Sequence, residues 1–105
     1  MKNQCKTICL LLLLYPSILI ADEWYEGGTL HRATAQQWHD ASSENRLATA
    51  ADFAASADTS VGLNELRERA SALQICISTA TSDSSLGSLK VAEVAAVCII
   101  QLGYR

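Results

Sequence analysis

Two cysteines, Cys76 and Cys98, stand 22 residues apart on either side of a serine-rich break, each within an apolar pattern of helical period. If they join, the last third of the chain has to fold as an antiparallel helical hairpin. Whether they join depends on the compartment, and the start of the chain speaks to that. Lys2 and Lys6 precede an apolar run over 8–15, Pro16 and Ser17 interrupt it, and Ile18, Leu19, Ile20 and Ala21 lead into Asp22 and Glu23. This order predicts a secretory signal peptide over 1–21, cut after Ala21, although Leu19 is larger than the usual residue at that distance from a cut. A lipoprotein reading of Cys5 and Cys9 fails on order, because both precede or open the apolar run. A retained anchor is disfavoured by Pro16 and by an apolar core short of the ~20 residues a spanning helix needs.

Export leaves residues 22–105, one small domain with six basic and eleven acidic side chains and a net charge of −5. Arg32, Arg46, Arg67, Arg69, Lys90 and Arg105 are scattered rather than striped, which argues against nucleic acid and against an anionic membrane surface as partners. Cys76 and Cys98 are the only cysteines of this remainder, and an oxidising compartment favours a bridge between them. Closing such a loop stabilises by about 3 kcal/mol in the chain-entropy model. Two buried free thiols are the alternative. There is no CxxC pair and no cysteine–histidine cluster of zinc type, so no cofactor or metal is expected.

The pattern predicts an all-α domain, a bundle of about four short helices behind an irregular leader over 22–32. Gly27-Gly28 marks a turn in that leader. Thr34 and Gln37 have the spacing of a capping box and open a short helix that carries Trp38 and ends near Asp40. Ser42-Ser43 caps a second, alanine-rich helix over 44–57, with Leu47, Ala50, Ala51, Ala54 and Ala55 on one face and Phe53 beside it. A third helix over 64–80 shows Leu66, Ala70, Leu73 and Ile77 as its stripe, with Cys76 at the edge. Glu65, Arg67, Glu68 and Arg69 read as its solvated face. After a loop over 81–88, a last helix over 89–102 carries Val91, Val94, Ala95, Cys98 and Leu102 on one stripe and stops at Gly103. Cys76 lies nearer the loop than Cys98 does, so the hairpin needs an offset or an uneven loop. Strands around Leu73, Ile75 and Ile77 and over 97–100 compete, but the turn chemistry they need is missing.

Catalytic signals are weak. His31 and His39 share no helical spacing, His39-Asp40 has no GxSxG serine to serve, and so short a chain leaves little room for a substrate pocket. No catalytic residue is expected. Trp24, Tyr25 and Trp38 are more suggestive, because three large aromatics crowd the least regular part of the chain. They either cap the helical core or form a contact patch with His31, Arg32 and Arg46, since tryptophan, tyrosine and arginine are enriched in binding hot spots.

Residues 24–31, Ala33-Thr34, Trp38, residues 45–53, residues 90–95 and Cys98 together resemble small exported bacterial proteins of conjugative plasmids, of the KikA plasmid-killing type. The resemblance implies a periplasmic or secreted accessory of plasmid transfer, harmful to some recipient cells, and assigns no residue a chemical role. In architecture alone the chain is also similar to the acid-resistance chaperone HdeA, whose cysteines are much farther apart, and to periplasmic immunity proteins. The expectation is an exported, non-enzymatic protein that binds an envelope protein and keeps no stable membrane span after cleavage. A periplasmic immunity or stress-chaperone-like protein and a membrane-perturbing effector are the alternatives.

Overall fold

The computed structural model describes residues 23–105; the signal-peptide expectation lies outside them. The described residues form an all-α bundle of four helices behind an irregular leader: α1 (Ala35–Asp40), α2 (Ser43–Ala57), α3 (Leu63–Ala80) and α4 (Val91–Leu102), with a 3₁₀ turn at Ser84–Leu86. α3 packs on both α2 and α4, which also touch each other.

Local side chains cap α1 and α2, whereas Gly62 and Lys90 open α3 and α4 without a side-chain cap. Thr34 closes the capping box on α1: its hydroxyl accepts from the Gln37 amide, while the Gln37 side chain accepts from the Thr34 amide. The other early amides of α1 find partners in the distant loop, as Ala35 N–H donates to the Leu89 carbonyl (2.7 Å) and Gln36 N–H to that of Gly87 (3.0 Å). The exchange is mutual. Val91 N–H, at the start of α4, donates to the Ala33 carbonyl at 3.0 Å, and Thr34 and Lys90 make an isolated antiparallel bridge. At the far end of α1, the Arg46 guanidinium donates to the Ala41 carbonyl at 2.8 Å and, at longer range, to those of Trp38 and His39. A cation there meets both the orphan carbonyls and the negative end of the helix dipole.

α2 places Ala48, Ala50, Ala51 and Ala54 in the core, and these small side chains let α3 approach closely. α3 answers with Ala70, Leu73 and Ile77, all fully buried, as its period predicts. Trp38 fills the space above them, with 0% exposure and its indole N–H donated to Ser78 Oγ at 3.0 Å. α4 contributes Val91, Ala95, Cys98 and Ile99. Leu102, expected on that buried stripe, is exposed and Ile99 takes its place, because the helix ends there and Gly103 turns the chain away. Gly103 takes the left-handed conformation (φ 74°). Its N–H reaches the Ile100 carbonyl and that of Tyr104 the Ile99 carbonyl, a Schellman close.

Cys76 and Cys98 form the disulfide, with Cα atoms 6.0 Å apart. Of the two arrangements their spacing allowed, an offset or an uneven loop, the uneven loop is present: residues 81–90 make the 3₁₀ turn and then run out to α1 before α4 begins. The charged run of α3 needs one correction. Arg69 is not part of a solvated face; its side chain is 18% exposed, pairs with Glu65 at 2.7 Å and Asp58 at 3.4 Å, and lies 4.7 Å from the Tyr104 ring centre. It joins the α2–α3 turn to the C-terminal segment.

Candidate protein-contact site

The leader is held by polar groups that the alanine stripe of α2 conceals. Asn45, in the first turn of α2, accepts from the Thr29 N–H through Oδ1 (2.9 Å) and donates to Thr29 Oγ1 through Nδ2 (2.8 Å). One turn on, the fully buried Thr49 accepts from the Leu30 N–H (3.2 Å) and donates to Asn45 Oδ1 (3.3 Å). Gly28 lies flat on this pair. A Cβ built there would stand 2.6 Å from the Thr49 backbone nitrogen, so only glycine permits the approach. Gly27 makes the preceding turn at φ 82°.

This anchoring fixes Trp24 and Tyr25 half-buried at the margin of the core. Their rings meet edge to face at 5.3 Å, and the Arg67 guanidinium of α3 lies 5.0 Å from the Trp24 ring centre. Beside Trp24 a groove of about 340 Å³ is lined by Glu23, Glu26, Gly27, Glu44 and Asn45. The Glu44 carboxyl is held below the usual carboxylate range by its own backbone N–H and by the Ser43 hydroxyl, so it stays charged into mild acid.

The six residues singled out from the sequence do not make one patch. Trp24 and Tyr25 stand together. His31 is placed two turns further along α2, its Nε2 2.7 Å from Asp52 Oδ2 and its ring edge to face with Phe53. Arg32 is exposed. Trp38 is removed from the contact set because it is buried in the core, and Arg46 because its guanidinium is committed to the end of α1. Sequence reasoning missed Asn45, Thr49 and the stacking role of Arg67. Gly27-Gly28 was the one visible sign that the leader touches backbone.

A second cleft, of about 300 Å³, opens between α1 and the 3₁₀ turn, lined by Gln36, His39, Asp40, Thr81, Ser82, Asp83, Ser84 and Gly87. Thr81 donates its hydroxyl proton to the Ile77 carbonyl at 2.7 Å. That assigns the proton on His39 Nε2, which donates to Thr81 Oγ1 (2.8 Å) and approaches its carbonyl (3.0 Å). The imidazole is thereby fastened to the end of α3. Asp83 caps the 3₁₀ turn, its pKa lowered by the amide and hydroxyl of Ser85.

Among the described residues no group of three or more His, Cys, Asp or Glu is placed to hold a metal ion. No helix among them is long and apolar enough to cross a membrane. Comparison with protein-family models, curated proteins and solved structures returns no match to the chain.

Proposed function

We propose that this is an exported, non-catalytic protein that acts by binding another protein of the cell envelope, with Trp24 and Tyr25 as the anchor of the contact. The observation that carries this reading is two large aromatics held half-exposed on a leader that Asn45 and Thr49 pin in place. Rigid aromatics at a surface lose little freedom on binding and bury large areas, which is the profile of a hot spot. The carboxylates of Glu23, Glu26 and Glu44 around the groove favour a basic group on the partner. Arg32 and His31 flank the contact from further along the leader. The likeness to KikA-type proteins supports an accessory role in plasmid conjugation, with toxicity to some recipients.

Crosslinking and pull-down from periplasmic extract tests it. A single envelope protein captured by the wild-type chain and lost with Trp24→Ala, at an unchanged melting temperature, supports the reading. Equal capture by both forms overturns it.

A further inference from the structure

α4 is apolar on both faces. Val91, Ala95, Cys98 and Ile99 point into the core, yet Ala92, Ala96, Val97 and Ile100 are exposed, Val97 at 55% and Ile100 at 62%. Glu93 is the only charge within the helix. A surface helix ordinarily turns a polar face to water, and one that is apolar all round is ordinarily covered. α3 extends the same surface. Ile75 is 65% exposed and adjoins Cys76, as Val97 adjoins Cys98. With the bridged Cα atoms 6.0 Å apart and single steps of about 3.8 Å, Ile75 and Val97 lie within about 14 Å of each other. At the C-terminal end of α4, Ile99, Ile100, Gly103 and Arg105 border an open groove of about 400 Å³.

We infer that this α3–α4 face is covered by a second copy of the chain, with the two α4 helices antiparallel across a two-fold axis. The charges select that occupant and that direction. Glu93 stands in the first turn of α4 and Arg105 just beyond its last. An antiparallel pair sets each Glu93 toward the Arg105 of the other copy, whereas a parallel pair sets Glu93 against Glu93. The two-fold thus pairs each Glu93 with an Arg105 and asks for no charge from elsewhere, as a self-complementary interface must. Side chains at Val97 and Ile100 of one copy meet the groove at the end of α4 in the other. A face some two helices wide and about 18 Å long, the length of the 12 residues of α4, falls at or below the small end of specific interfaces, so the pair is weak and reversible. This inference is independent of the partner-binding reading, which uses the opposite end of the sequence.

Sedimentation of the processed protein from the envelope fraction, over about 1–500 µM, is the test. Expected is a reversible monomer–dimer equilibrium with a dissociation constant in the micromolar range, weakened at least about tenfold by Ile100→Glu or Val97→Glu. Both positions are exposed, so circular dichroism should match wild type. Glu93→Arg and Arg105→Glu should each weaken the dimer, and the double variant should restore it. A monomer throughout overturns the inference. So does a dimer indifferent to Val97→Glu and Ile100→Glu, or a swap that restores nothing. Binding of lipid vesicles or of a different protein through this face, without self-association, also overturns it.

Discussion

Thr49 carries more of the leader's placement than any aromatic there. Its hydroxyl is the buried partner of the Leu30 amide, and Gly28 rests against its backbone. Thr49→Val keeps the shape and strands that amide, at a cost of about 1–3 kcal/mol. Gly28→Ala forces a Cβ into the α2 backbone, so overpacking of about 1–3 kcal/mol is expected, and Trp24 fluorescence should shift as its ring moves. Denaturant titration of both variants checks these values. Asp58 supplies a pH-dependent contribution of definite sign. Its carboxylate accepts from the hydroxyl and amide of Ser60 and faces Arg69, which lowers its pKa in the folded state. The stability it lends is therefore complete above the ordinary aspartate pKa and is lost as pH falls through the folded value. Melting temperature should decline over that acid range, and less so in Asp58→Asn.

α1 is too short to stand alone, at 6 residues, and exists because its surroundings satisfy it at both ends. Thr34 and Gln37 were legible as a capping box; the acceptors at Gly87 and Leu89 were not, because no local pattern announces a partner some 50 residues away, and Arg46, though near in sequence, belongs to the next helix and read as an exposed contact residue. The stripe of α3 was fully legible, since every member faces one slab of core. Leu102 was misplaced because periodicity carries on to the last residue of α4, where Gly103 already turns the chain away. Trp38→Ala should cost about 3–5 kcal/mol, a core truncation rather than a lost contact, and thermal melting tells the two apart. Removing the bridge as Cys76→Ala with Cys98→Ala should cost about 3 kcal/mol in the chain-entropy model, and a reductant should lower the melting temperature of the wild type but not of the double variant.

At the scale of the molecule, fold class was readable from period, caps and the cysteine pair, whereas the contact site was readable only in part. Trp24 and Tyr25 announced themselves by size, but the sequence could not separate them from Trp38, which differs only in lying on a helix that docks inward. Mass spectrometry of the protein as its host makes it tests the export reading, which expects an amino terminus at Asp22 and no free thiol. The mutual pairing of Ala33 and Ala35 with Leu89 and Val91 also bears on how the protein comes to be made. Within its own turn the opening helix finds only the Thr34 hydroxyl for its early amides, and the carbonyls that take the others, Gly87 and Leu89, arrive with the last fifth of the chain, so α1 docks only when nearly all of the polypeptide is available. Lateness of that kind makes the final lock of the fold an event between the two ends of the chain, one that a polypeptide still emerging from its synthesis has yet to reach.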